Sequence, residues 1–289
     1  MNDALAGRAA IVTGGSHGLG LEIARTFVSA GARVVVCARD EDALDRARTA
    51  LESVAPDAGS VETIAADVSQ PESVERLVAY AVERLQRIDV LVNNAGVYGP
   101  MGPIDDADWA EWEHAIRVNL FGSVLCCRAV LPHFRANGYG KIIQLSGGGA
   151  TSPLPRLSAY ASSKAAVVRF AETLAEELRG TGIDVNAVAP GALNTRLLDE
   201  VLDAGPDVVG EGFYGRALEQ RSRGGTPLDV PSRLVAFLAS SASDGISGKL
   251  ISAPWDPWEE LPSRADDLRG TDVYTLRRIV PADRGLSWG

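Results

Sequence analysis

Apolar positions along the chain fall into two alternating kinds of stretch. Seven short runs rich in β-branched residues read as strands: AAIVTGG from residue 9, ARVVVCAR from 32, SVETIAADV from 60, DVLVNNAG from 89, KIIQLSG from 141, DVNAVAPG from 184 and KLISAP from 249. Their apolar residues are largely continuous, which suits a parallel sheet covered on both faces. Between them, residues 19–30, 41–54, 71–86, 105–137, 158–179 and 230–240 carry apolar residues at helical spacing. Leu21, Ala24, Phe27 and Val28 form such a stripe in the first helix, and Val74, Leu77, Val78 and Ala81 in the third. Strand and helix in regular alternation, with right-handed crossovers, predict a single doubly wound α/β domain. Such sheets take ligands at the carboxyl ends of their strands, so the chemistry is expected in the loops that follow these runs.

Two segments break the pattern. Residues 192–226 are glycine-rich and poorly periodic, as either a lid over a site or an ordinary surface insertion would be. Residues 255–289 form a C-terminal extension beyond a main domain of residues 1–254. Its tryptophans, Trp255, Trp258 and Trp288, argue for packing on the body or on a neighbouring subunit.

Composition narrows the classes. With 46% hydrophobic and 23% charged residues the chain has enough apolar material for a full core. A net charge of −10 and the lack of a basic stripe argue against a nucleic-acid partner. The opening stretch MNDALAGRAAIVTGG has no secretory pattern and no apolar run approaches spanning length. The expectation is a cytoplasmic protein with no membrane partner. Cys37, Cys126 and Cys127, like His17, His114 and His133, are spaced unlike a disulfide framework or a metal clip, so no metal site is expected.

The first strand ends in TGGSHGLG, where Gly14, Gly18 and Gly20 lead into a helix. Glycines there permit a tight turn and a close approach of backbone N–H groups to a pyrophosphate seated on the helix N-terminus. Tyr160 and Lys164, in YASSK, stand four residues apart and so share one helix face. An ammonium beside a phenol favours the phenolate, lowering a pKa that starts near ~10 towards the range of an acid/base catalyst.

TGGSHGLG at 13–20, NNAG at 93–96, YASSK at 160–164 and APG at 189–191 together resemble the short-chain dehydrogenase/reductase family, in its order and spacing over about residues 5–253. The resemblance implies a Rossmann-type dinucleotide-binding domain and a hydride transfer that interconverts a secondary alcohol and a ketone. Tyr160 would be the acid/base, Lys164 would hold the nicotinamide ribose, and Asn119 in VNLFG would hold a water linking the lysine to solvent. Gly14, Ser16, His17, Gly18, Leu19 and Gly20 would cradle the cofactor, with Asp67 and Val68 at the adenine. Asn93, Ala95 and Gly96 would line it after the fourth strand, with Asn94 bracing the sheet. Pro190, Gly191, Leu193 and Thr195 would fix the carboxamide. Where an aspartate often reads the ribose 2′-hydroxyl this chain has Ala38, followed by Arg39, whose planar fork suits a 2′-phosphate. NADP(H) is therefore favoured, with NAD(H) the alternative because Asp40 follows. A small-molecule substrate and a homodimer or homotetramer, through the helix from Ser158 to Arg179, are further implications.

The pattern departs from the family at one position. The serine expected thirteen residues before the tyrosine is Gly147, and Ser146 lies one position early, where strand alternation points it to the other face. Three readings stand open. The strand ends before Ser146 and its hydroxyl swings inward; another donor acts, from Thr151, Ser152, Ser158 or a backbone N–H of Gly147 to Gly149; or the protein binds cofactor without turning over a carbonyl. LSGGGAT with KLISAPWD also resembles members of carbohydrate or natural-product pathways, which points to a polar, sugar-like or natural-product substrate. Trp255 and Trp258 would either stack on such a ring or serve packing. An epimerase working through a transient ketone and a non-catalytic NADP(H)-binding regulator are the alternative functions.

Overall fold

The computed structural model describes residues 3–55, 57 and 59–288. Seven strands form one parallel sheet in the order β3-β2-β1-β4-β5-β6-β7. They are β1 (Ala9–Thr13), β2 (Arg33–Ala38), β3 (Val61–Ala65), β4 (Val90–Asn93), β5 (Gly140–Leu145), β6 (Ile183–Ala189) and β7 (Leu250–Ser252). β1 lies between β2 and β4, with Val12 paired to Val36 on one side and to Val92 on the other. The order reverses between β1 and β4, and the crevice opens at that switch point.

The strands are apolar throughout because alternate residues feed two cores. Ala10, Val12, Val34 and Val36 face one layer with α1 (Gly18–Ser29), α2 (Glu41–Glu52) and α9 (Asp229–Ala239). Ala9, Ile11, Val35 and Cys37 face the other, with α3 (Pro71–Leu85), α5 (Gly122–Asn137) and α6 (Ser158–Glu177). All three cysteines are buried thiols, raised by that burial above the ordinary thiol range. No cluster of metal-ligating side chains occurs among the described residues.

Helical periodicity placed most helices to within a few residues, with three differences. The helix expected from 105 begins at Trp109 as α4 (Trp109–Ile116) and passes through a π turn at Arg117–Phe121 before continuing as α5. Joined, these run 29 residues and are apolar enough to span a bilayer by length and composition, contrary to the sequence expectation. That apolarity serves packing in the second core through Val118, Cys126, Cys127, Val130 and Phe134.

Residues 192–226 are not the irregular segment that their glycines suggested. They form α7 (Arg196–Val209) and α8 (Glu211–Arg223), with α7 broken at Gly205 (φ 79°) and the two helices divided at Gly210 (φ 87°). The glycines interrupt the periodicity because they make these turns. Leu198, Val201, Val209 and Ala217 form a small third core there, against Tyr98, Met101 and Phe213.

The extension packs on the body in part. Trp258, with Leu261 and Leu268 of α10 (Leu261–Leu268), joins the first core, and Trp258 Nε1 donates to the Ala253 carbonyl at 3.3 Å. Leu276 lies against the second core and its N–H donates to Glu172. Trp255 and Trp288 remain exposed.

Candidate active site

The carboxyl ends of the strands enclose a cleft of about 1510 Å³ lined from Gly14 to Trp255. Its floor on one side is the turn after β1. A Cβ at Gly20 would stand 2.3 Å from the Gly14 carbonyl oxygen and 2.4 Å from Asn94 Nδ2, and one at Gly14 would meet Ala95 Cα at 2.8 Å. Only glycine permits this approach of the turn to the β4 loop. His17 at the N-cap of α1 makes no side-chain cap, so the first-turn N–H groups of α1 stay available at the cleft. A dinucleotide fits this cradle: free N–H groups and a helix dipole for the phosphates, and bare backbone where a side chain would block them.

Most cofactor-side expectations fall on the cleft. Ser16, His17, Leu19, Arg39, Asp67, Val68, Ala95, Gly96, Pro190, Gly191, Leu193 and Thr195 all line it. Ser16 Oγ lies 2.9 Å from His17 Nδ1, and burial, with Arg196 nearby, lowers the His17 pKa below its ordinary value. Asp40 is occupied as the N-cap of α2, accepting from the Ala43 N–H at 2.9 Å, while Arg39 and Arg46 line the cleft beside it. Asp67 accepts from the N–H and hydroxyl of Ser69, which fixes the turn after β3.

Asn93 departs from its expected place. Its side chain points away from the cleft and donates to the Ser123 carbonyl and to Cys127 Sγ. As the last residue of β4, it follows the strand alternation into the second layer. Asn94 lines the cleft instead, and its Nδ2 donates to the Thr13 and Gly14 carbonyls, bracing β4 against the β1 turn.

Tyr160 and Lys164 sit on one face of α6, both nearly buried and both facing the cleft. Lys164 Nζ donates to the Leu145 carbonyl at 2.8 Å and lies 5.7 Å from the Tyr160 ring centre. A Cβ on Gly96 would stand 3.6 Å from Lys164 Nζ and 3.3 Å from Asn119 Oδ1, so the two polar groups flank the same stretch of backbone. Asn119 is carried by the π turn, and its side chain donates to the Val97 carbonyl and Ser163 Oγ, both at 2.9 Å. Such turns recur where a helix is loosened at a functional site.

The electrostatics reverse one expectation. The Tyr160 pKa is raised above the ordinary phenol value, first by burial and then by the neighbouring Tyr98. Lys164 is lowered to about 8 by burial. In the protein alone, loss of hydration outweighs the attraction between ammonium and phenolate, so the phenol is held as an acid.

Residue 147 sits directly against this phenol: a Cβ on Gly147 would stand 2.2 Å from Tyr160 Oη. β5 ends at Leu145, before Ser146. Ser146 lines the cleft as expected, but its hydroxyl is buried and makes no hydrogen bond to the protein. Ser158 Oγ accepts from Trp112 Nε1 at 3.1 Å, and Ser152 is exposed and off the cleft, whereas Thr151 is exposed and lines it. Sequence reasoning missed Tyr98. Its ring meets that of Tyr160 edge-on, with centroids 4.6 Å apart at 69°. Only its position two residues after NNAG pointed to it.

A glycine-lined dinucleotide cradle opening onto a Tyr–Lys pair at the switch point of a parallel sheet defines a Rossmann-type oxidoreductase. Comparison with known proteins agrees, since the family described as short chain dehydrogenase matches residues 8–204. The chain belongs to the short-chain dehydrogenase/reductase family. It is 35% identical over 239 residues to an L-fucose dehydrogenase from Oryctolagus cuniculus, covering 82% of this chain and 81% of that protein. It is 35% identical over 261 residues to a versicolorin reductase from Emericella nidulans, covering 86% and 95%. Among solved structures, an actinorhodin polyketide ketoreductase with NADPH superposes with a TM-score of 0.77 at 30% identity, covering 87% of this chain and 97% of that one.

Proposed function

We propose that the protein is an NADP(H)-dependent reductase interconverting a ketone and a secondary alcohol on a ring-bearing, partly hydroxylated substrate of natural-product type. The observation that carries the reading is the seat of Tyr160, whose hydroxyl stands over the bare Gly147 backbone in the cleft with Lys164 beneath it. When bound, the nicotinamide supplies or accepts the hydride. Tyr160 donates its phenolic proton to the carbonyl oxygen, and a phenol kept protonated by burial suits that direction. The ammonium of Lys164, anchored on the Leu145 carbonyl, stabilises the phenolate that is left. Asn119, held by the Val97 backbone, flanks Gly96 together with Lys164, which supports its reading as the residue that links the lysine to solvent for reprotonation of the phenol.

The substrate reading refines the sugar expectation. Tyr98, Leu154, Leu198, Val201, Phe213 and Trp255 give the cleft beyond Tyr160 an apolar, partly aromatic wall, while Arg216 and Gln220 supply a polar rim. A flat or alicyclic ring with a few hydroxyls matches that lining better than an open polyol. The NADP(H) preference is supported by Ala38 and Arg39 after β2, by Arg46 beside them, and by the engagement of Asp40 as a helix cap. The bound NADPH of the ketoreductase neighbour is consistent with it. A homo-oligomer is supported by exposed Trp109 and Phe121 on the α4–α5 helix.

NADPH oxidation followed across ring ketones, hydroxylated cyclic ketones and keto sugars tests this reading. Tyr160→Phe is expected to bind NADPH normally and to lose about 10²- to 10⁴-fold in turnover. Near-native turnover in that variant would overturn the assignment, and isomerisation without net NADPH consumption would make the protein an epimerase.

A further inference from the structure

We propose that Tyr98 is a second catalytic residue, whose phenol hydroxyl hydrogen-bonds the substrate oxygen alongside Tyr160 and replaces the serine that this chain lacks at residue 147. The proposal rests on the ketone-reductase reading above, and three observations carry it.

Residue 147 carries no hydroxyl, and the Tyr160 side chain leaves no room for one. A Cβ at Gly147 would stand 2.2 Å from Tyr160 Oη and 3.0 Å from its Cζ. Restoring a serine there would drive the tyrosine ring from its seat. The neighbouring Ser146 also lines the cleft, but its Oγ is buried and makes no hydrogen bond, so it is the less accessible donor and the competitor that the variants below must exclude. Tyr98, in contrast, packs directly against the catalytic phenol's ring. It lines the cleft, and its ring lies edge-on to Tyr160 at 4.6 Å between centroids. No hydrogen bond among the described residues engages its hydroxyl, and that hydroxyl is not buried as that of Ser146 is.

Burial, reinforced by Glu200, raises Tyr98 to about 12, so it is a donor at neutral pH. A ketone oxygen has two lone pairs and accepts from two phenols at once. As Tyr160 passes its proton to that oxygen, Tyr98 keeps its own and holds the developing negative charge through a hydrogen bond that strengthens. Gly147 then has a positive role: its missing side chain leaves room for the Tyr160 hydroxyl, whose ring is in contact with Tyr98.

Steady-state reduction of a ring ketone by NADPH, with NADPH affinity measured by fluorescence titration, separates the possibilities. Tyr98→Phe keeps the ring and its edge contact and removes only the hydroxyl. It is expected to lower kcat about 10²- to 10³-fold with NADPH affinity intact. Ser146→Ala and Thr151→Val should each cost at least tenfold less than that, and Gly147→Ser should lower kcat. A Tyr98→Phe enzyme close to wild type, a larger loss in Ser146→Ala or Thr151→Val, or a gain in Gly147→Ser overturns the proposal. If the wild type binds NADPH and reduces no ketone, the parent reading falls first. The seating of Tyr160 is checked without substrate by absorbance titration of the phenols. Gly147→Ser should move one high-pH ionisation towards the ordinary tyrosine range, and an unchanged titration would overturn the role given to Gly147.

Discussion

The cofactor side and the substrate side of this cleft are held by different means. The turn after β1 is bare backbone fixed by close packing, with Gly20 so near the Gly14 carbonyl and the Asn94 side-chain amide that a methyl group has no place. The opposite wall is assembled from segments far apart in the chain. Arg156, itself at φ 67°, donates to the Asp207 and Val208 carbonyls at 2.7 and 2.8 Å and so holds the C-terminal end of α7. Tyr98 reaches the same helices from the β4 loop, and Trp255 approaches from beyond β7. A wall pinned by side chains tolerates change in shape, whereas a turn without side chains does not. The first side therefore suits a constant cofactor and the second a variable substrate.

Substitutions on the two sides should fail in different ways. The largest effect is expected at their junction. Lys164→Met should lose about 10²- to 10³-fold in kcat by removing the charge that supports the phenolate, and it should also remove the lysine's contribution to the pH dependence of stability. Lys164 is lowered to about 8 in the fold, so above that pH the unfolded chain binds the extra proton and stability rises. Against this, Cys37, Cys126 and Cys127 stay protonated in the fold where unfolded thiols ionise near ~8.5–9, and Tyr98 and Tyr160 do the same near ~10, so each lowers stability as pH rises. Denaturant melts between pH 7 and 10 should therefore show stability falling more steeply with pH in Lys164→Met than in wild type, with the variant the more stable at pH 7. An equal slope in both would place the proton elsewhere.

Gly20→Ala comes next. Forcing a methyl group against the Gly14 carbonyl should cost about 1–3 kcal/mol and weaken cofactor binding, read by thermal unfolding with and without NADPH. Arg39→Ala is narrower. Loss of a charge-assisted bond worth about 1.5–3 kcal/mol should weaken NADPH binding about 10- to 100-fold and leave NADH unaffected. Equal losses for both cofactors would sink the 2′-phosphate assignment. Arg156→Ala should be the mildest, since the backbone strain at this position is common to Arg and Ala. It should raise the ketone KM a few-fold, with each lost bond worth about 0.5–1.5 kcal/mol, at unchanged NADPH affinity. If cofactor affinity changed instead, the two walls would not be independent.

Legibility in the sequence divides along the same line. The strand runs, the glycine turn, Tyr160, Lys164 and Asn119 were all readable, because each is set by local spacing and turn chemistry. Asn93 was misplaced for a reason that local alternation could have supplied, since it still belongs to β4 and points into the second layer. Residues 192–226 were misread because glycines that turn one helix into the next look the same in sequence as glycines in an irregular loop. The phenol's direction of shift was also misjudged. Spacing puts a lysine one turn away, but only burial decides that desolvation exceeds the attraction.

The sequence by itself determined the parallel α/β fold, the dinucleotide cradle and the Tyr–Lys pair, because these depend on periodicity and on residue types within a few positions. Only the tertiary structure decided what stands around the phenol. Tyr98, the Ser146–Gly147 turn and Tyr160 come from three separate segments, and whether a hydroxyl is seated, buried or free depends on packing across the sheet. Contacts between residues so distant in the chain leave no periodic mark on it, which is why the missing serine was legible and its replacement was not.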